Sequence, residues 1–182
     1  MSSKLPLVVI ATLGAVAMGL IASPAALAAA PAPVRPVSAE VFSGRWYEVA
    51  RTPNLRQRDC LGSTTDFEPR PDGGMAVTET CRRAGPVGLA RVVRARARVL
   101  QLGDNTRFRV SLLGGLIHQD YWILDHADDN AWMLMGTPGG HYVWVLSRRP
   151  ALPSASLAAA VGRANALGYP SSSLIYASVT GG

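Results

Sequence analysis

Much of the chain alternates between apolar and polar residues with a period of two, which predicts half-buried β-strands. The clearest alternation runs from Leu89 to Leu100, where the two faces are Arg94, Arg96 and Arg98 against Ala95, Ala97 and Val99. Gly, Pro, Asn and Asp separate the strand-like segments at the spacing of hairpins. The predicted strands are 44–51, 59–67, 75–82, 89–100, 106–113, 120–124, 131–135 and 141–147.

The last two of these strands are apolar at nearly every position, so we expect burial on both faces. A predicted helix follows and could cover their outer side. Ser154 is its expected N-cap and Gly168 its C-terminal stop, and a short ninth strand is predicted at 174–176. Eight up-and-down strands close into a barrel just wide enough for one small ligand. The predicted fold is therefore an all-β, eight-stranded antiparallel up-and-down barrel with a C-terminal α-helix packed outside.

The N-terminal residues 1–28 resemble a signal peptide. Lys4 supplies the positive charge, residues 5–21 the apolar stretch, and Ala26-Leu27-Ala28 a small-residue cleavage site. An uncleaved anchor would need about 20 apolar residues, and glycines and a proline interrupt this stretch. No cysteine lies near the expected cut, so no lipid anchor is expected there. We predict an exported protein, periplasmic or secreted, with a flexible or extended Ala/Pro-rich lead-in at 29–40 and one domain at 41–182.

Cys60 and Cys81 are the only cysteines of the chain. If strands 59–67 and 75–82 pair as a hairpin around residues 70–74, two residues face each other when their residue numbers add up to about 141. The numbers of Cys60 and Cys81 add up to 141. Direct cross-strand partners have the Cβ spacing that a disulfide requires, and disulfides persist in exported proteins. We therefore predict a Cys60–Cys81 disulfide, with two free thiols as the alternative.

Positive charge in the mature chain is carried by arginine alone, because Lys4 is the only lysine; its removal lowers the net charge from +6 to +5. An arginine stripe is formed by Arg91, Arg94, Arg96, Arg98, Arg107 and Arg109. No aromatic residues interleave with the stripe to stack bases, so nucleic acid is not an expected partner. The expected role is a solvated outer barrel face, with peripheral contact to an anionic membrane surface as the functional alternative.

Signals for catalysis are sparse. The histidines are His118, His126 and His141, and none has the spacing of a zinc site. The chain contains no G-x-S-x-G or Walker-type motif. We predict no enzyme activity, no metal and no cofactor.

Two segments resemble motifs of the lipocalin family. Gly44 and Trp46, within Gly44–Arg51, match its G-x-W motif, and residues 142–150 resemble its third motif, whose arginine corresponds to Arg148. The run 121–124 looks like the matching strand of apolipoprotein D-like and bacterial outer-membrane lipocalins. The resemblance implies that Arg148 packs across Trp46 as a cation–π pair at the closed end of the barrel. The second motif of the family resembles Thr-Asp-Tyr, and this chain has His126-Ala127-Asp128 at the corresponding position instead.

Inward-facing side chains are expected to bind a hydrophobic small molecule or lipid. The expected lining residues are Ala95, Ala97, Val99, Phe108, Val110, Leu112, Trp122, Leu124 and Tyr142, although the facing of Tyr142, Met133 and Trp144 stays open. Glu48 shares a face with Trp46 and Ala50 by alternation, and is either a satisfied polar residue near the barrel floor or a contact for a ligand head group.

The resemblance implies a fatty acid, lysophospholipid or similar ligand, bound for lipid transport, storage or envelope maintenance. Three alternatives remain from the sequence. The inward residues could fill a packed core, the fold could act as an enzyme on a lipophilic substrate, or the arginine stripe could serve a surface interaction.

Overall fold

The computed structural model describes residues 30–83, 89–100 and 103–178; the predicted signal peptide lies outside them. Eight antiparallel strands form a closed barrel in which each strand pairs with the next along the chain, and β1 pairs with both β8 and β2. This confirms the predicted fold. The strands are β1 (Gly44–Arg51), β2 (Cys60–Pro69), β3 (Met75–Arg83), β4 (Arg91–Val99), β5 (Arg107–Leu112), β6 (Ile117–His126), β7 (Trp132–Gly136) and β8 (Val143–Ser147), with a short β9 (Ile175–Tyr176) beside β1.

A single helix, α1 (Ser154–Ala166), covers the outer face of β7 and β8, as predicted. Buried residues from the helix and the outer strand faces form one apolar cluster, which includes Val49, Ala50, Leu124, Trp132, Leu134, Val143, Val145, Ala160 and Ala164. The predicted N-cap is wrong, because Pro153 occupies that position, Ser154 is already helical and no side chain caps the first turn. Gly168 follows the helix at φ 91°, a conformation that favours glycine.

The connections alternate between the two ends of the barrel. At the closed end, a 3₁₀ turn at Ala39–Phe42 places Val41 and Phe42 in the interior, where both are buried. The indole nitrogen of Trp46 donates to the Val41 carbonyl at 2.8 Å. The loops at the other end surround an open mouth.

The segment before the barrel runs extended along its outer surface. Backbone nitrogens of Ala30, Val34 and Val37 donate to carbonyls of three different barrel connections or strands at 2.8–3.0 Å. Arg35 forms ion pairs with Asp125 and Asp128. Of the two predicted forms of the lead-in, flexible or extended, residues 30–38 adopt the extended one, and their backbone and side chains find partners on the barrel.

Asp125 joins three parts of the molecule. Its carboxylate accepts from Arg35 Nε at 3.2 Å and from Arg163 Nε of α1 at 2.7 Å. Burial by itself would raise the pKa of Asp125, but hydrogen bonds from Arg163, from the His126 backbone and from Arg35 hold it below its ordinary value. The buried carboxylate of Asp125, on β6, thus connects the lead-in to the helix through its hydrogen bonds with Arg35 and Arg163.

The disulfide between Cys60 and Cys81 is confirmed, with the Cα atoms 5.5 Å apart. The predicted register of its hairpin is wrong. Cys81 lies opposite Ser63, and Cys60 lies opposite Arg83. An irregularity between Cys60 and Gly62 at the start of β2 brings the two cysteines together diagonally.

Within the described residues, no helix is long and apolar enough to cross a membrane.

Candidate functional site

The half of the barrel nearest the closed end is a packed core. Phe42, Phe67 and Phe108 meet edge to face, with ring centroids 5.3–6.2 Å apart. Around them lie the buried side chains of Val37, Val41, Trp46, Met75, Val77, Ala97, Ile123, Met133, Met135 and Leu146. This cluster forms the floor beneath the cavity. Part of the barrel interior is therefore filled by side chains, which agrees in part with the alternative of a packed core.

Above this floor the barrel contains two adjacent chambers. The outer one, at the mouth, has a volume of about 160 Å³, and the inner one about 60 Å³. They share the lining residues Arg56, Thr65, Glu79, Gln119, Tyr121 and Met135. The inner chamber is mostly apolar, whereas the outer one mixes polar and aromatic side chains.

Most of the predicted lining residues face the interior. Ala95, Phe108, Val110 and Leu112 line the inner chamber. Glu48 and Tyr142 line the outer one, as does Trp144. Ala97, Val99 and Met133 also point inward, but they pack in or against the floor rather than line either chamber.

Trp122 and Leu124 do not face the cavity, so the prediction is wrong for both. Leu124 belongs to the cluster beneath α1, and Trp122 packs against that cluster with the Arg107 guanidinium 4.8 Å from its ring centre. The inward residues of this strand are Tyr121 and Ile123. The outer side chains of β6 are also apolar, because they pack in the cluster beneath the helix. Hydrophobicity alone therefore does not distinguish the inner face of this strand from the outer one.

A β-bulge in β1 changes which side chains enter the barrel. Glu48 pairs with Leu146 and Ala50 with Val145, so Val49 is the extra residue. Ala50 consequently lies beneath the helix, and Arg51 turns inward beside Glu48. The predicted shared face of Glu48 and Ala50 is therefore wrong.

Glu48 and Arg51 form a buried ion pair above the floor, with both side chains at most 2% exposed. The other carboxylate oxygen of Glu48 accepts from Gln57 Nε2 at 2.8 Å and from Ser63 Oγ at 2.6 Å. Arg51 Nη2 donates to the carbonyls of Gln57 and Cys60, at 2.8 and 3.1 Å. Protein groups thus satisfy both carboxylate oxygens of Glu48. This agrees with the first of its two predicted roles, that of a satisfied polar residue near the barrel floor.

Gln57 holds the β1–β2 loop over the mouth of the cavity. It ends a 3₁₀ turn at Leu55–Gln57 whose cap is Asn54, and Asn54 Oδ1 accepts from the Gln57 backbone nitrogen at 3.0 Å. Gln57 Oε1 accepts from Trp144 Nε1 at 2.9 Å across the mouth. The sequence identified this stretch only as a polar loop, because no local pattern indicates that a loop glutamine is buried.

Glu79 is the second carboxyl group in the cavity wall, and it lines both chambers. Among the described residues it makes no ion pair, and its hydrogen bond from Gln57 Nε2 is long, at 3.5 Å. Burial raises the pKa of Glu79, against a smaller lowering effect from Arg56, and the charge of Glu48 raises it further. Burial also raises the pKa of Tyr121 nearby.

The three histidines and the cysteines lie outside the chambers. His118 and His126 make hydrogen bonds on the outside of the barrel, and His141 lies in the β7–β8 loop. In the described part of the chain, one group has metal-site spacing, Asp59 with Cys60 and Cys81, and both sulfurs are bonded to each other. The disulfide also consumes the thiol that a cysteine-dependent enzyme would require.

Most of the arginine stripe lies on the outer wall of the barrel, but Arg91, at the start of β4, donates to the Arg56 carbonyl at the open end. Arg94, Arg96 and Arg98 are exposed along β4. On β5, Arg109 makes a bidentate ion pair with Asp120 of β6, at 2.6 and 2.9 Å.

Comparisons with known proteins agree with this architecture. The model of the lipocalin-like domain family matches residues 37–178, well over half of the chain. The chain is 25% identical over 150 residues to outer membrane lipoprotein Blc of Vibrio cholerae serotype O1, covering 80% of this chain and 86% of that protein. It is 27% identical over 146 residues to temperature-induced lipocalin-1 of Arabidopsis thaliana, covering 78% of each.

Solved structures share the fold at lower sequence identity. Insecticyanin from the tobacco hornworm Manduca sexta superposes with a TM-score of 0.64 at 13% identity, covering 81% of this chain and 83% of that one. Lobster apocrustacyanin A1 gives a TM-score of 0.58 at 12% identity, covering 84% and 91%. With the family match, the barrel topology and the Trp46–Arg148 contact at 3.9 Å, these similarities show that the chain belongs to the lipocalin family.

Proposed function

We propose that this protein binds one small hydrophobic ligand in the barrel and carries or stores it outside the cytoplasm. The observation that supports this most directly is the cavity between the packed floor and the mouth. Its inner chamber offers apolar walls from Phe67, Val77, Ala95 and Val110. An apolar group would enter there, since each buried methylene contributes about 0.8 kcal/mol.

The size of the chambers favours a slender ligand. Pockets for drug-sized molecules have volumes of about 300–1,000 Å³, whereas these chambers measure about 160 and 60 Å³. We propose a single-chain lipid, such as a fatty acid or a lysophospholipid, with part of its chain in the inner chamber. Its polar group would remain in the outer chamber beside Glu79, Gln119 and Tyr142.

The proposed location is the periplasm or the outside of the cell. Disulfides persist in oxidising compartments, and this chain has one between Cys60 and Cys81. The similarity to an outer membrane lipoprotein supports a location in the cell envelope. The role we propose there is lipid transport or storage, or maintenance of the envelope.

Filling the inner chamber tests this function. A titration of the purified protein with a dansyl-labelled fatty acid should reach one ligand per chain, and native mass spectrometry should detect the same stoichiometry. Ala95→Trp should weaken binding at least about tenfold, because the indole occupies the space of the chain. Arg94→Trp, on the outer face of the same strand, is the control and should bind as the wild type does.

Thermal unfolding of both variants separates a filled cavity from a damaged fold. Equal fatty-acid binding by the folded Ala95→Trp variant and the wild type would contradict the proposed site. A wild-type protein that takes up no fatty acid and carries no lipid from its own cells would contradict the proposed function.

A further inference from the structure

The open end of the barrel carries the most exposed large apolar side chains of the described residues. Four leucines at this end are 71–85% exposed: Leu55, Leu89, Leu113 and Leu116. Every other large apolar side chain of the described residues is at most 52% exposed. Single exposed leucines are normal on protein surfaces, but these four share one end of the molecule. We refer to them as the rim leucines.

Their shared location follows from the topology. Leu55 lies in the β1–β2 loop, Leu89 precedes β4, and Leu113 and Leu116 lie between β5 and β6. In an up-and-down barrel, every second connection lies at the same end. Leu55 also lines the outer chamber, so the rim leucines lie at the end of the barrel where the cavity opens.

The β5–β6 loop presents its leucine at a conformational cost. Leu113 has φ 49°, in the left-handed region that a branched residue rarely adopts, while its neighbours Gly114 and Gly115 have φ 69° and 102°. The fold therefore holds a solvent-exposed leucine where glycine would be less strained. Strain of this kind concentrates at functional positions.

Charge is distributed unevenly between the two ends. The described residues of the open end carry five arginines, Arg56, Arg58, Arg82, Arg83 and Arg91, and one acidic residue outside the cavity, Asp59, which pairs with Arg83. Eight of the twelve acidic residues lie at or near the closed end, namely Glu40, Asp66, Glu68, Asp72, Asp104, Asp125, Asp128 and Asp129, whereas five arginines there offset part of their charge, namely Arg35, Arg45, Arg70, Arg148 and Arg149. This distribution orients the mouth toward a negatively charged surface.

We propose that the open rim docks on an anionic lipid surface, with the rim leucines buried in the interface and the surrounding arginines beside lipid phosphates. Apolar side chains among basic ones are the combination that such surfaces bind. This docking surface is distinct from Arg94, Arg96 and Arg98 of the arginine stripe, which lie on the side wall; it shares only Arg91 with the stripe. Its role in loading the cavity rests on the proposed function, whereas the docking itself does not.

Co-sedimentation with lipid vesicles tests the proposal. The wild-type protein should bind vesicles of equimolar phosphatidylglycerol and phosphatidylcholine at least about tenfold more tightly than pure phosphatidylcholine vesicles, and high salt should weaken that binding. The double variant Leu113→Ser, Leu116→Ser should lose about tenfold in affinity. The matched control Val34→Ser, Leu100→Ser changes two exposed apolar residues away from the rim and should bind as the wild type does.

Single charge variants locate the docking face independently. Arg58→Gln, at the open end, should weaken binding to the anionic vesicles about fivefold, and Arg149→Gln, at the closed end, should leave it unchanged. Equal losses in the rim and control variants would overturn the proposal. So would a wild-type protein that binds neither vesicle.

Two further measurements separate the remaining explanations. Light scattering that finds a wild-type dimer, dispersed by Leu113→Ser, Leu116→Ser, would assign the rim to a second copy of the chain and overturn the proposal. Titration with the dansyl-labelled fatty acid in solution should give equal affinities for the rim variant and the wild type. Vesicle binding that persists while fatty-acid binding fails would leave the docking surface in place and reject only the cavity function.

Discussion

The guanidinium of Arg148 lies 3.9 Å from the centre of the Trp46 ring. The same guanidinium donates to the carbonyl of Ser43 at 2.6 Å and to those of Glu40 and Val41 at 3.2 Å. Arg148 therefore ties the end of β8 to the turn that closes the barrel, while its charge lies over the aromatic face. Gly44, beside this contact, has φ 78°, which explains why the motif requires glycine there.

Replacing Arg148 should destabilise the closed end. Arg148→Ala removes the cation–π contact and leaves several carbonyls without their donor, so we expect the free energy of unfolding to fall by about 3 kcal/mol. Arg149→Ala changes an exposed neighbour and should cost less than about 0.5 kcal/mol. Urea unfolding followed by tryptophan fluorescence measures both. Equal effects of the two substitutions would contradict this role for Arg148.

The buried pair of Glu48 and Arg51 should show strong coupling. Arg51→Met alone leaves the Glu48 carboxylate buried without its cation, and we expect a loss of about 3–5 kcal/mol in the free energy of unfolding. Adding Glu48→Gln to that variant should recover part of the loss, because the uncompensated charge is removed.

A surface pair serves as the comparison for this cycle. Arg45 donates to Asp66 at 2.7 Å, but the Arg45 side chain is 55% exposed. Arg45→Met should therefore cost at most about 1 kcal/mol. Additive effects of Arg51→Met and Glu48→Gln, without recovery in the double variant, would show that the two side chains do not act as a pair.

Loss of the disulfide should lower stability without preventing the barrel from forming. The bond joins positions 21 residues apart, and a loop of that length corresponds to about 3 kcal/mol. We expect that decrease in the Cys60→Ala, Cys81→Ala variant, measured by urea unfolding. A reducing agent should destabilise the wild type by a similar amount and leave the variant unaffected, and a reduced wild type that unfolds at the same urea concentration as the oxidised protein would contradict the expectation.

The fold could be predicted from the sequence because its signals are local. Alternation marked the strands, Gly- and Asp-containing turns marked the connections, and continuous apolarity at 131–135 and 141–147 indicated the covering helix. Gly44, Trp46 and Arg148 carried the family resemblance, and the structure confirms the contact that it implied.

The cavity was only partly predictable because alternation does not survive a bulge. The extra residue Val49 exchanges Ala50 for Arg51 on the inner face of β1, and nothing in the sequence around it indicates that change. The disulfide is predicted correctly from a wrong register, because an irregularity between Cys60 and Gly62 lets the two cysteines meet diagonally rather than as direct cross-strand partners. Trp122 was placed inside because the strand is apolar on both faces, and only the packed helix distinguishes them.

The pH dependence of stability should reveal the carboxyl of Glu79 in the cavity wall. Burial raises its pKa above the ordinary value of 4.5, so the folded state binds a proton more tightly than the unfolded state does. The stabilising effect of that proton is fully present below the ordinary pKa, and it is lost as the pH rises through the folded-state pKa.

Glu79→Gln retains the neutral form at every pH. We expect the variant and the wild type to have similar unfolding midpoints in acid, and the variant to become the more stable protein as the pH approaches neutrality. Thermal unfolding across this range is the measurement, and Glu68→Gln, on the exposed part of β2, should follow the wild type throughout. If the wild type instead gained stability over Glu79→Gln with rising pH, attraction to Arg56 would outweigh burial, and the cavity wall would favour a charged carboxylate.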